Sequence, residues 1–262
     1  MGDAINKKLY RKVLSLIKAM PLIMSVVTLL NTILSFCGID LIIMSYIGGV
    51  SLMILLLMYL SSFVFGFGVS HRVFIYYCAA NWTINIIDEF IGIPLGDRNM
   101  LLLYLIIAGI ALMILFFLRM NEGSLPAMSI DKKKEDSYHK ILYKYELLMI
   151  KTIPILTTGI CVLNTTLSYL GIDWTIWSWI GGPSLLMILF MYLTSVVFRF
   201  CAYHRIFIHY IAIVWLINAI DWYTSAFSQY NTRITMLLFC IFTGITLFIA
   251  LYLKLKSLKV KQ

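Results

Sequence analysis

Asp88 and Asp221 stand in otherwise apolar stretches at an offset of 133 (221 − 88), and they are the residues whose chemistry most needs explaining. A carboxylate at the centre of a bilayer costs about 2.5 to 3.5 kcal/mol on insertion scales, so it asks for a partner or a wet cavity. Tyr77, Asn81, Asn85 and Asp88 recur at i, i+4, i+8 and i+11, which lines them along one stripe of a helix. The second stretch keeps Tyr210, Asn218 and Asp221 but has Val214 in place of the first asparagine. Such a seam can line a path for an ion or a proton. It can also be structural. Asp88 lies about one and a half helical turns from the end of its segment, where a carboxylate caps or braces a neighbouring helix, and on these residues alone that reading comes first.

The basic pairs His71-Arg72 and His204-Arg205 form a second group. A histidine there can sense pH or meet an anionic lipid headgroup, although the simpler role is to anchor orientation at the inner mouth. Asn31 with Ser35, and Asn164 with Ser168, place polar groups at i, i+4 on the first helix of each half, where hydrogen bonding between helices at about 0.6 to 2 kcal/mol apiece accounts for them. Gly48-Gly49 and Gly181-Gly182 allow close helix approach. The five cysteines, Cys37, Cys78, Cys161, Cys201 and Cys240, have no counterparts of their own kind in the other half and no metal-ligand spacing. HExxH, GxSxG and phosphate-binding glycine loops are missing, which points away from an enzyme and implies neither a cofactor nor a metal.

The elements that must position these groups are set by composition. Hydrophobic residues make up 61% of the 262 and charged ones 13%, with a mean hydropathy of +0.93, against roughly 45 to 50% and about 25% for soluble domains. The bilayer is therefore the expected solvent. The formal charge of +9 sits in short clusters between apolar runs and leaves no basic domain for nucleic acid.

An internal repeat organises the chain. Residues 31–40 match 164–173 at 7 of 10 positions, 45–60 match 178–193 at 10 of 16, and 71–91 match 204–224 at 11 of 21, all at the offset of 133 and without a gap. Apolar segments are expected at 21–36, 41–65, 73–93 and 101–118, and again at 154–170, 174–198, 206–227 and 236–253. Lys7, Lys8, Arg11, Lys12, His71, Arg72, Arg119 and Lys132, Lys133 and Lys134 fall on one side if all four segments cross, while the opposite turns are poor in positive charge. The second half repeats this, with Asp173 and Arg233 outside and Arg199, Arg205, Lys254, Lys256, Lys259 and Lys261 inside. Tyr46, Trp174, Trp177 and Trp179 form an aromatic belt at the outer start of the second segments.

The expected fold is an all-α integral membrane protein of two tandem four-helix transmembrane repeats in parallel orientation, related by a pseudo-two-fold axis along the membrane normal. Residues 1–120 form the first repeat, 121–139 a polar cytoplasmic linker, and 140–262 the second repeat with a basic tail. Ahead of the first crossing, Leu9, Tyr10, Val13, Leu14 and Ile17 oppose Lys7, Lys8, Arg11, Lys12 and Lys18, so this stretch either lies along the interface or extends the first helix through a bend at Pro21.

Residues 31–60, with His71-Arg72 and the Asn85 to Asp88 landmark, resemble a family of small membrane proteins encoded by phages and prophages of Bacteroidetes, each about half this length. The resemblance covers both halves and implies a phage-associated protein of the bacterial inner membrane, with holin-like permeabilisation as the first specific expectation. A channel or transporter with a polar path between the repeats is the second, and a non-transporting interaction or exclusion protein is the third. The partners to expect are the lipid bilayer, anionic lipids at the basic pairs, and further copies of the chain as a homo-oligomer.

Overall fold

In lipid no water is present to satisfy backbone N–H and C=O groups, so an apolar chain of this kind must bond its backbone internally, which favours the helix. The computed structural model describes residues 2–37, 39, 43–91, 96–121, 132–170, 172, 180–224 and 232–259. Among them the elements are helices: α1 (Gly2–Phe36), α2 (Ile43–Gly48), α3 (Leu52–Val64), α4 (Val69–Ile91), α5 (Gly96–Asn121), α6 (Lys132–Tyr169), α7 (Leu185–Val197), α8 (Ala202–Thr224) and α9 (Thr232–Lys259). Five segments among the described residues are long and apolar enough to cross a membrane, namely Tyr10–Leu34, Tyr46–Val64, Tyr143–Leu167, Ala202–Ile220 and Leu238–Lys256. Leu102–Phe116 and Leu185–Val197 are apolar but shorter.

Large apolar side chains cover the outside: Phe116 is 68% exposed and Phe248 73%. Leaving such a side chain in water costs about 1.5 to 3 kcal/mol relative to burying it, and a hydrocarbon environment removes that cost. The arrangement is that of a membrane protein.

The sequence leaves two roles open for the stretch before Pro21, and the structure resolves them. α1 is one continuous helix with Pro21 inside it, so the amphipathic stretch extends the spanning helix. α6 likewise runs through Pro154, and residues 132–139 of the expected linker begin this helix, while 122–131 lie outside the described residues. A correction concerns the second segment. Expected as one helix over 41–65, it is interrupted at 49–51 between α2 and α3, and 182–184 interrupts the corresponding run before α7. The cause is local: Gly48-Gly49 and Gly181-Gly182 weaken the helix, Pro183 has no N–H, and Ser184 caps the start of α7 by accepting the Met187 N–H.

The chain divides into two compact units, one comprising Met1–Met44 with Ile54–Ile150 and the other Ser45–Met53 with Lys151–Gln262. In the first unit α1, α4 and α5 pack against one another. Ile17, Met20 and Met24 bury one face of α1, at helical spacing, and Ser25 Oγ donates to the Phe74 carbonyl of α4 at 3.2 Å. In the second unit α8 packs on α7 and α9, and Thr158 Oγ1 of α6 donates to the Phe207 carbonyl at 3.5 Å. Ser25 and Phe74 stand 133 residues before Thr158 and Phe207.

Helices α3 and α7 end in the same way. The Phe67 N–H donates to the Ser62 carbonyl at 2.8 Å and the Gly66 N–H to Phe63 at 3.1 Å, the bond pair of a Schellman motif with Gly66 at φ +56°. At the end of α7, Phe200 bonds Ser195 at 2.9 Å and Arg199 bonds Val196 at 3.3 Å, but the left-handed residue is Arg199 at φ +48°. A side chain in this conformation costs about 1 to 2 kcal/mol, and a Cβ at Gly66 would meet nothing within 4 Å, so backbone strain is the whole difference. Reversible unfolding in mixed micelles is therefore expected to show Arg199→Gly stabilising the chain by about 1 kcal/mol and Gly66→Ala destabilising it by a similar amount.

Candidate functional site

The polar seam of α4 is built on helical spacing and closed by α5. Asn81 Nδ2 donates to the Tyr77 carbonyl and Asn85 Nδ2 to the Asn81 carbonyl, each at 3.0 Å, so both amides lie back along their own helix. Tyr104 of α5 donates its hydroxyl to Asn85 Oδ1 at 2.7 Å. Beside this chain of bonds Asn81 Oδ1, on a residue 2% exposed, and the hydroxyl of Tyr77, 5% exposed, are buried next to each other without a hydrogen bond of full geometry to any group. A buried polar atom left unsatisfied costs about 1 to 3 kcal/mol, so a polar group placed against these atoms would be stabilised there.

The second unit handles the same position differently. Tyr210 shares a hydrogen bond with Thr243 Oγ1 at 2.8 Å, and Thr243 donates its one hydrogen to the Phe239 carbonyl at 2.7 Å, so Tyr210 is the donor. Setting the fourth segments 101–118 and 236–253 against each other, an offset of 135 that pairs Gly109 with Gly244, Thr243 corresponds to Ala108 (243 − 135), which has no hydroxyl, so Tyr77 lacks the partner that Tyr210 has. Val214 occupies the asparagine position, and Asn218 is half-buried on α8. Asp88 and Asp221 fall on α4 and α8, with side chains outside the described residues.

The helix interruptions carry close backbone contacts within the second unit. Trp215 Nε1 donates to the Tyr46 carbonyl at 2.9 Å, and Ser51 Oγ, 2% exposed, points its hydrogen at Met187 Sδ at 3.7 Å. The thiol of Cys161 reaches the Gly181 carbonyl at 3.8 Å. A Cβ on Gly181 would come within 2.6 Å of Ile160 Cγ2, so only glycine allows α6 to approach this backbone. Trp174, Trp177 and Trp179 lie outside the described residues.

Both histidines of the basic pairs sit against a phenylalanine that follows a Schellman turn. The Phe67 and His71 rings are 5.8 Å apart and tilted by 54°, and Phe200 and His204 are 5.7 Å apart and tilted by 57°. Arg72 places its guanidinium 4.8 Å over the Phe63 ring, whereas Arg205 is exposed. The copies differ at one atom: His204 Nδ1 bonds the Cys201 thiol at 2.9 Å, while His71 Nδ1 is buried without a partner, because Gly68 stands where Cys201 would be. Asn31 and Asn164 are half-buried, and Ser35 and Ser168 have side chains outside the described residues. The bonds that cross between helices on this face come from Ser25 and Thr158, six residues earlier in each half.

Sequence reasoning did not single out Ser25, Thr158, Tyr104 or Thr243. Ser25 and Thr158 carried a legible signal, since a small hydroxyl residue recurs at the offset of 133 inside an apolar run. Among the described residues no three His, Cys, Asp or Glu side chains gather to hold a metal ion. No family model matches the chain, and no curated protein or solved structure is similar to it.

Asn81→Val, which installs the residue of the second copy, removes an unpartnered oxygen and a bond that is local to its helix. Thermal unfolding in micelles is expected to show a gain of about 1 kcal/mol. A loss of that size would mean that the Asn81 oxygen is already satisfied.

Proposed function

We propose that the chain is a multi-pass protein of the bacterial inner membrane that lets a small polar solute or ion pass along the seam of α4. Its two copies are read as parallel four-helix repeats with both termini in the cytoplasm, as the placement of positive charge supports. The observation that carries the reading is the buried pair of unsatisfied atoms, Asn81 Oδ1 and the Tyr77 hydroxyl, within a helix bundle whose outer surface is apolar. Polar atoms in such a place mark pathways, because only a wet or ion-filled seam removes their cost. The interruptions at 49–51 and 182–184 add weight: Gly- or Pro-broken segments at corresponding positions of two repeats are the usual mark of a transport site.

The resemblance to small phage membrane proteins favours a second reading, holin-like permeabilisation, and the basic tail Lys254, Lys256, Lys259 and Lys261 agrees with it. Timed expression in a bacterial host with a membrane-potential dye distinguishes the two. Graded depolarisation, reduced about tenfold or more by Asp88→Asn with Asp221→Asn, is the result expected of a conduit. Abrupt collapse followed by lysis would favour the holin, and an unaltered potential would leave a membrane interaction or exclusion protein.

A further inference from the structure

The first unit contains an open groove whose two ends differ in chemistry. A cavity of about 970 Å³ is lined at one end by Arg11, Lys18 and His71, and among the described residues no carboxylate lines it. Leu22, Phe74, Leu112 and Leu115 form its apolar part and also line a narrower cavity of about 150 Å³ that reaches Leu29 and Tyr77. The two cavities therefore share walls between α1, α4 and α5. Arg11, Leu14, Lys18 and Leu22 follow the i, i+3, i+7, i+11 spacing of a single helix face, so the cations and the apolar wall belong to one stripe of α1.

Lys18 lies in the cytoplasmic half of the apolar span Tyr10–Leu34, which is longer than a hydrocarbon core, and its four-carbon stem lets the ammonium group reach the headgroups, where it needs an anion. His71 Nδ1, at the same end of the groove, is buried without a hydrogen-bond partner. From Lys18 to Leu29 helix α1 advances about 16 Å, close to half of a hydrocarbon core of about 30 Å, and that half is the depth of one leaflet's acyl chains. Two fixed cations and a histidine at the interface, above an apolar slot one leaflet deep, match a single amphiphile.

We propose that this groove binds an anionic glycerophospholipid, with its phosphate held by Arg11, Lys18 and His71 and one acyl chain lying along Leu22, Phe74, Leu112 and Leu115. The basic character recurs in the second copy at the same offset, as Lys144, Lys151 and His204 (11, 18 and 71 each plus 133). There His204 Nδ1 bonds the Cys201 thiol, whereas in the first half no such thiol stands beside His71 and its ring lines the groove.

Native mass spectrometry of the full chain in neutral detergent tests the site, using phosphatidylglycerol and phosphatidylcholine with the same acyl chains, and excess inorganic phosphate as a competitor. Phosphatidylglycerol is expected to be retained over phosphatidylcholine and not displaced by inorganic phosphate. Arg11→Gln with Lys18→Gln is expected to weaken its retention about thirtyfold, about fivefold for each basic side chain, while Arg11→Lys with Lys18→Arg keeps it. Leu112→Trp, which fills the slot and leaves every charge in place, is expected to weaken retention as well. Equal retention of the two lipids, full displacement by inorganic phosphate, an unchanged charge-neutral variant, or a dimer that excludes lipid would each overturn the proposal.

Discussion

A polypeptide in hydrocarbon has nowhere to send an unpaired backbone group except to itself, and each one left over costs several kcal/mol. The points of interest in this chain are accordingly the places where a helix stops. α3 and α7 stop in Schellman turns that return both trailing N–H groups to carbonyls of the last helical turn. At the interruption before α7 the closure comes from a serine cap and a cysteine thiol, and at the one after α2 it comes from a tryptophan. That tryptophan, Trp215, belongs to the second sequence copy, and the carbonyl it satisfies, Tyr46, belongs to the first. Ser45–Met53 is grouped with the second compact unit, and this hydrogen bond gives a physical reason for it.

The membrane character was legible from the apolar runs, because the length that a bilayer demands is long and continuous. The pairing of positions at an offset of 133 was equally open to inspection, and local contacts repeat at it: Ser25 and Thr158 make the same cross-helix bond, and Phe67–His71 has the geometry of Phe200–His204. Hidden in the sequence was the break at 49–51. Gly48-Gly49 reads equally as a packing surface or as a weak point, and the choice depends on whether a neighbour can satisfy the freed carbonyl, which is a tertiary fact. The continuity of α1 through Pro21 was undecidable for a related reason: proline removes one backbone bond, and packing of Ile17, Met20 and Met24 outweighs that loss. Within the seam, Asn81 and Asn85 were visible by spacing, but Tyr104 lies on another helix and no periodicity links the two.

The two halves differ in their polar atoms more than in their turns. Asn81 stands where the other half has Val214, Ala108 where it has Thr243 and Gly68 where it has Cys201. Each exchange moves an unsatisfied atom to the first copy, whose Tyr77, Asn81 and His71 carry unpartnered buried atoms, whereas Tyr210 and His204 are bonded. The second half keeps one such atom of its own, the buried Thr157 hydroxyl, where the first half has Met24.

The account rests on the closure of the interrupted backbone by Trp215. Hydrogen–deuterium exchange of the full chain in lipid nanodiscs, comparing the native protein with Trp215→Phe, measures that closure directly. It predicts protected amides through 46–51 in the native chain and faster exchange there in the variant, with the Tyr10–Leu34 span unchanged in both. Identical exchange of 46–51 in the two proteins would contradict it.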